Sequence, residues 1–249
     1  MTLYKNRITS KMLIVVILIM LVVYTFYIRI NFDMISSYEN INSISMYDLF
    51  YYILSDPLIE LIINLPFLLV FQILINVNEN YYVMSRFSSR KKFAYFKIIN
   101  TVYINIVLVL VFICSLLFFS YYFTKNSTFN WMDKNSVIAI LYNNSKSLKG
   151  GILTSRYIVI LVSTIILFIR NTTISILSLL FSIIFNRTYA YVLAMIPFML
   201  SAYYGGILIH YYIFRLTDSG ILITTKIIFI LTLLVLLINL YILLDERIR

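Results

Sequence analysis

Side chains that could carry out catalysis are few and scattered in this 249-residue sequence. It contains no Gly-x-x-x-x-Gly-Lys-Ser/Thr phosphate loop, no Gly-x-Ser-x-Gly nucleophile turn and no His-Glu-x-x-His zinc motif. The single cysteine, Cys114, and the single histidine, His210, lie far apart, so no metal-binding or redox spacing is present. We therefore predict that the chain is not an enzyme and holds no cofactor or metal of its own.

Two ionisable side chains, Glu60 and Arg170, lie within long apolar stretches. Such groups are costly at membrane depth and are usually paired or functional. Glu60 shares a broad half of its predicted helix with Asn64 and Gln72. We expect the polar side of this helix either to form a hydrogen-bonded seam with another helix or to line a substrate pathway, and we count Arg170 as a further candidate pathway residue.

Arg170 interrupts an apolar stretch over residues 157–185 that is longer than a bilayer requires. One interpretation is a long tilted helix with Arg170 buried at its centre. The other is a shorter span that starts near Ile165, with residues 150–164 forming a separate interfacial or external helix. The second costs less free energy, because it places Arg170 near the outer interface, and the sequence leaves both interpretations open. The second also permits an ion pair between Glu60 and Arg170, which we state as a hypothesis.

The segment Tyr81–Lys97 is a basic island between two apolar blocks. Ser88 and Ser89 divide it, because a serine can cap the N-terminus of a helix that begins near Arg90 and continues into the next apolar block. One interpretation is topological: positive residues are retained in the cytoplasm while aromatic residues anchor at headgroup depth. The other is a coupling element that docks on a cytoplasmic partner. The basic residues of this loop are Arg86, Arg90, Lys91, Lys92 and Lys97.

The composition places these residues in a membrane protein. Hydrophobic residues make up 62% and charged residues 12% of the chain, whereas soluble domains are about 45–50% apolar and about 25% charged. The formal net charge of +10 could suggest a nucleic-acid ligand. The basic residues, however, lie mainly at the ends of apolar runs, where they contact lipid phosphate. We predict an all-α integral membrane protein that contacts lipid and does not bind nucleic acid.

Six stretches satisfy the requirement of about 20 mainly apolar residues for a membrane-spanning helix. They are residues 12–30, 57–77, 98–123, 157–185, 189–210 and 221–244. An even number of spans places both termini on one side, and the short basic loops assign that side to the cytoplasm. We predict one transmembrane domain over residues 1–249. The first loop, residues 31–56, is rich in aromatic side chains, so we expect it to lie at the lipid interface.

Several of these features together resemble the small membrane subunits of type 2 ABC exporters from Gram-positive bacteria. They are the six spans with both ends inside, the basic elbow before the third span, the minimal link Asn186-Arg187-Thr188 and the broken stretch at Gly205-Gly206. The resemblance implies a bacterial cytoplasmic membrane and an assembly of two membrane subunits, either two copies or this chain with a related permease. It also implies two cytoplasmic ATPases, which bind the ATP and Mg²⁺. The implied cargo is an amphipathic peptide, an antibiotic or a lipid-like compound.

The resemblance assigns contact with the ATPase to the elbow. The residues concerned are Ser85, Arg86, Phe87, Ser88, Ser89, Arg90, Lys91 and Lys92. Members of that family usually begin with an interfacial helix, whereas only Met1–Lys11 precede the first apolar stretch here. An alternative of a different class is a non-transporting immunity or sensor subunit that binds a toxin or peptide.

Overall fold

The computed structural model describes residues 2–37, 44–55, 87–128, 156–185, 189–190, 192–194, 196 and 220–248. All regular structure within these ranges is helical. The five helices are α1 (Thr2–Ser36), α2 (Met46–Ser55), α3 (Arg90–Thr124), α4 (Arg156–Ile184) and α5 (Gly220–Ile248). The predicted second span lies outside the described residues, and only 189–190, 192–194 and 196 of the predicted fifth span are described, as helix.

Four of these helices are long and apolar enough to cross a membrane. The candidate spans are Ile17–Ser36, Arg90–Thr124, Ile160–Ile184 and Ile227–Leu244. They coincide with the predicted first, third, fourth and sixth spans. The prediction of an all-helical, multi-pass membrane protein is confirmed at this level.

The distribution of polar side chains over α4 is the reverse of that in a soluble protein. Arg170 and Asn171 are buried, whereas Tyr157, Leu161 and Ile165 are exposed. A helix at the surface of a soluble protein buries its apolar face and exposes its polar one. The outward side of α4 therefore suits lipid, and its inward side suits other helices.

Helices α1 and α3 run parallel, side by side. The ring of Tyr24 meets that of Phe112 edge-on, with centroids 5.0 Å apart. Further along both helices, Phe32 stacks on Phe123 at 6.2 Å. Because the residue numbers of the partners rise together, the two helices begin at the same end of the bundle.

Helix α3 is the central element, since it contacts each of the other four helices. Two hydrophobic clusters lie along it. The first joins α1, α2, the C-terminal half of α3 and the early part of α4, up to Leu167. The second joins the N-terminal part of α3 to α5 and to the part of α4 from Ile169 onward. Helix α4 therefore runs antiparallel to α3.

The first predicted loop, residues 31–56, is largely helical, because α1 continues into it and α2 lies within it. Ser45 and Asp48 form a capping box at the start of α2. The Ser45 N–H donates to Asp48 Oδ2 at 2.9 Å, and the Asp48 N–H donates to Ser45 Oγ at 3.2 Å. Phe50 and Tyr51 are buried in the first cluster. These two side chains face α1 and α3 and therefore do not face lipid, while the position of the loop at the lipid interface stays a prediction.

The ends of α2 and α3 are joined by a backbone hydrogen bond. Helix α3 ends at Lys125, which takes a left-handed conformation (φ 51°) and donates its N–H to the Tyr121 carbonyl oxygen at 2.8 Å. The next residue, Asn126, accepts the N–H of Met46 at 2.8 Å through its carbonyl oxygen. The start of α2 is therefore fixed beside the C-terminal end of α3.

Helix α4 is continuous from Arg156 to Ile184, and Arg170 is its central residue. The predicted helix over 157–185 is confirmed, and the second interpretation, in which a separate helix over 150–164 precedes a shorter span, is wrong for residues 156–164. The physical reason is that the polar residues here do not interrupt the helix. The hydroxyl of Thr164 donates to the Ile160 carbonyl oxygen at 2.7 Å, and Arg170 is buried against protein and therefore avoids the cost of facing lipid.

Candidate functional site

The elbow, which we define as Phe87–Lys92, begins α3 with a serine cap. Ser89 is extended (φ −152°, ψ 152°), and its Oγ accepts the Lys92 N–H at 3.3 Å. Its carbonyl oxygen accepts the Phe93 N–H at 3.3 Å. Ser88 Oγ accepts from Lys92 Nζ at 2.9 Å. The predicted serine cap and the predicted helix start near Arg90 are confirmed.

An aromatic cluster holds the chain as it enters α3. The ring centroid of Phe87 lies 5.4 Å from that of Phe93 and 5.0 Å from that of Phe96. This contact resembles a hydrophobic staple, in which a residue before the cap packs on the first turns of the helix. These ring contacts therefore fix the direction in which the chain enters α3.

Three exposed cations, Arg90, Lys91 and Lys92, occupy the first turn of α3. That turn contains no acidic residue. A helix N-terminus already carries a partial positive charge, so cations here are unfavourable for the helix itself. The arrangement concentrates positive charge at one point on the surface and suits a partner that presents carboxylates.

Lys97 does not belong to this basic surface. It is only 4% exposed, within α3, and its Nζ lies 4.8 Å from the ring centroid of Phe93, a cation–π contact. Our assignment of Lys97 to the basic loop is therefore wrong. Lys97 lies beyond the first turn of α3, on the inward face of the helix, so the exposed cations of this segment end at Lys92.

Most of the predicted pathway residues are not among those described. Glu60, Asn64 and Gln72 lie outside the described residues, as do Ser85 and Arg86 of the predicted coupling segment. The proposed ion pair between Glu60 and Arg170 stays a hypothesis. The described candidates are Arg170 and the elbow residues.

Arg170 is part of a buried polar band at the middle of α3 and α4. Asn105, near the middle of α3, is 0% exposed, and Arg170 is 3% exposed. The other members are buried as well, although their surroundings are apolar helices. The band comprises Thr101, Asn105, Arg170, Asn171, Thr172, Thr173, Ser175 and Ser178.

A side-chain hydrogen bond across the band links the two helices. Asn105 Nδ2 donates to Ser175 Oγ at 3.2 Å, and the Ser175 hydroxyl donates to the Asn171 carbonyl oxygen at 2.8 Å. The Oδ1 of Asn171 is buried and accepts no hydrogen bond from the described part of the chain. This bond is a polar contact between α3 and α4. The choice between a seam and a pathway for Glu60, Asn64 and Gln72 stays open, because these residues lie outside the described ranges.

Two threonines of the band bond back to their own helix. The hydroxyls of Thr172 and Thr173 donate to the carbonyl oxygens of Phe168 and Ile169 at 2.7 and 2.8 Å. Such bonds satisfy the hydroxyls without a partner helix, and they often bend helices slightly. These two hydroxyls are therefore satisfied within α4 itself.

Sequence analysis missed Asn105, although a signal was present. Lys97, Thr101 and Asn105 recur at a spacing of four, which places them on one face of a helix. The Thr101 hydroxyl donates to the Lys97 carbonyl oxygen at 2.8 Å, as this spacing allows. A search for polar residues at helical spacing inside apolar runs would have found this stripe.

The described residues contain no group of three or more His, Cys, Asp or Glu side chains that could hold a metal ion. Cys114 is a free thiol on the exposed side of α3. The polar groups of the described residues that can bind a ligand are therefore the cations of the elbow and the hydrogen-bonding side chains of the polar band.

No protein-family model, curated protein or solved structure matches this chain.

Proposed function

We propose that this protein is the membrane-spanning permease subunit of an ATP-driven ABC exporter in a bacterial cytoplasmic membrane. A separate cytoplasmic ATPase supplies the energy, and the cargo is an amphipathic peptide, an antibiotic or a lipid-like compound. The observation that carries the proposal is the elbow. It is an ordered, capped turn with three exposed cations at the end of the central helix, and its charge does not help the helix that bears it.

The directions of the helices support a cytoplasmic position for the elbow and for the N-terminus. Because α1 and α3 are parallel, the N-terminal end of α1 lies at the elbow end of the bundle. Because α4 is antiparallel to α3, its C-terminal end lies there as well. Charged residues near these three points therefore share one side, as the positive-inside rule requires of cytoplasmic loops.

The position of α2 supports the predicted second span. Met46 is bonded to Asn126 at one end of α3, and Ser89 lies at the other end. Helix α3 has 35 residues, a length of about 52 Å at 1.5 Å per residue. Met46 and Ser89 therefore lie at opposite ends of α3, and the proposed span over residues 57–77 would connect the two ends.

The proposed mechanism couples the elbow to the bundle through α3. An ATPase that binds Arg90, Lys91 and Lys92 moves the N-terminal end of this helix as the ATPase dimerises. Because α3 contacts every other described helix, its movement changes the packing of all of them. Glu60, Asn64 and Gln72 are the remaining candidates for the cargo path, together with Arg170.

The test is neutralisation of the elbow, with the triple variant Arg90→Gln, Lys91→Gln and Lys92→Gln. The partner is an ABC ATPase encoded in a neighbouring reading frame. We expect the triple variant to lose at least about tenfold in copurified ATPase and in transport-coupled ATP hydrolysis, because charged contacts at an interface are worth several kcal/mol. Lys125→Gln is the matched control, since it removes an exposed cation at the opposite end of the same helix.

The outcomes separate the alternatives. An ATPase that binds and couples to the triple variant as it does to the parent would contradict the proposal. If the variant inserts with inverted topology, as read from the labelling of introduced cysteines, only the topological role of the cations is supported. If the chain alone protects cells against a toxin or peptide without any ATPase, the immunity or sensor alternative is favoured.

A further inference from the structure

One side of α5 faces away from the rest of the described bundle. Its inward side buries Ile230 and Tyr241 against α3 and α4. The opposite side, which we name the α5 outer face, is exposed along the candidate span. Residues that define it are Ile228, Thr232, Val235, Leu236, Asn239 and Leu243.

Polar residues recur on this face at a spacing of seven. Thr225, Thr232 and Asn239 are all exposed, and Ile228 and Val235 follow the two threonines by three residues. Positions that repeat every seven residues, with a second set three residues on, form the contact stripe of two packed helices. Left-handed packing of this kind is the commonest geometry of helices within membranes. The stripe therefore has the spacing of a helix-packing surface.

Asn239 makes this face costly if lipid covers it. The residue lies inside the candidate span Ile227–Leu244, and its side chain is exposed. The Thr232 hydroxyl donates to the Phe229 carbonyl oxygen at 2.7 Å, whereas the Asn239 amide makes no hydrogen bond to the described part of the chain. An amide without partners in hydrocarbon is unfavourable. The occupant of this face should therefore offer both a donor and an acceptor at the depth of Asn239.

We infer that the α5 outer face binds the same face of a second copy of this chain, with the two Asn239 amides hydrogen-bonded to each other. Copies of one chain insert into a membrane in the same orientation, so a two-fold axis along the membrane normal brings each residue to its counterpart at the same depth. An amide carries both a donor and an acceptor and is therefore complementary to itself. A single asparagine within a heptad stripe fixes register and favours two helices in this way.

The evidence for this contact surface comes from α5 alone, while its role of joining two permease copies rests on the proposed function.

Thr232→Cys in a Cys114→Ser background places one thiol at the centre of the stripe. Leu231→Cys in the same background is the matched control, because Leu231 is at nearly the same depth and 41% exposed but is turned about 100° around the helix. We expect a disulfide-linked dimer in oxidised native membranes for Thr232→Cys, with several-fold less for Leu231→Cys. Equal yields, or no dimer for either variant, would overturn the inference.

A second measurement addresses Asn239 directly. Asn239→Leu should weaken association about three- to thirtyfold, the effect of losing a hydrogen bond of about 0.6–2 kcal/mol between membrane helices. Leu240→Ala, on the border of the face, should leave association unchanged. The readout is energy transfer between labelled copies as they are diluted in lipid vesicles, with no ATPase present. Unchanged association of Asn239→Leu would contradict the inference. The failure of ATPase binding to the elbow variant would contradict only the proposed function.

Discussion

The elbow and one side of the polar band lie on α3, yet the polar groups of the two regions are satisfied in opposite ways. Between Lys92 and Asn105, α3 rises about 20 Å. At the elbow, Ser89 caps the backbone while the cations around it are exposed. In the band, Asn105 and Ser175 are buried and bond to each other. A polar residue type alone therefore does not identify a functional position in a membrane helix. The hydrogen-bonding groups around the residue decide whether it is available to a partner.

The two regions should therefore respond differently to substitution. The charges of Arg90 and Lys92 do not stabilise the helix end that bears them, and the hydrogen bond from Lys92 Nζ to Ser88 Oγ is exposed. Their loss should therefore affect a partner much more than the bundle. The fold depends on the band, because each removed group leaves a buried neighbour unsatisfied. Measurements of the free energy of unfolding test this difference between the two regions.

The largest effect is expected at Arg170. Arg170→Leu removes a charged side chain that is 3% exposed at the centre of α4. If Glu60 is its partner, as hypothesised, the loss leaves a buried charge uncompensated and costs about 3–5 kcal/mol. The measurement is the free energy of unfolding in mixed micelles. Arg90→Leu is the control, and we expect it to change stability by less than about 0.5 kcal/mol, as at most surface positions. Similar values for the two variants would break the comparison.

A double-mutant cycle extends this experiment to Glu60. If Glu60 and Arg170 form an ion pair, Glu60→Gln and Arg170→Gln should be non-additive by about 0.5–3 kcal/mol. Simple addition of the two losses would remove the ion-pair hypothesis. It would leave the measured cost of removing Arg170 unchanged.

A smaller loss of stability than at Arg170 is expected at the helix cap. Ser89→Ala removes the acceptor of the Lys92 N–H and should destabilise α3 by about 1 kcal/mol, whereas Ser89→Asp should retain the cap. Ser88→Ala is the matched control, because Ser88 bonds to the Lys92 side chain and not to the backbone. Hydrogen exchange of the first turn of α3 measures the change. Equal exchange in the Ser88 and Ser89 variants would contradict the assigned cap.

The smallest effect is expected for the bond across the band. Asn105→Leu and Ser175→Ala should show a coupling of about 0.6 kcal/mol, the average for hydrogen bonds between membrane helices. Ser115→Ala paired with Asn105→Leu is the control cycle, because Ser115 bonds to the Val111 carbonyl oxygen of its own helix. A coupling as large in the control would show that the Asn105–Ser175 bond is not specific.

Features with a local chemical cause could be predicted from the sequence. The start of α3 follows from a serine placed just before a helix-forming run, because the cap bonds to a backbone N–H three residues later. The spans on α1, α3, α4 and α5 follow from length and hydropathy alone. Neither prediction requires knowledge of what the helix packs against.

Features that depend on neighbouring helices could not be predicted. Helix α2 is ten residues long, too short for a span, and the burial of Phe50 and Tyr51 depends on the positions of α1 and α3. Lys97 was assigned to the exposed loop because its charge is the same as that of Lys92. In α1 and α3 the residues that face lipid and those that face protein are both mostly apolar, so the sequence carries little contrast between the two sides.

The hydrogen bond between Met46 and Asn126 has a mechanical consequence. It joins α2 to the C-terminal end of α3, while the elbow lies at the N-terminal end. If α3 tilts as a rigid helix about Asn105, the elbow is about 24 Å from this pivot point and Lys125 is about 30 Å from it. A tilt of about 10° would then move the Lys125 end by about 5 Å and carry the start of α2 with it. The bond therefore couples a tilt of α3 to a displacement of α2 at the end of the bundle opposite the elbow.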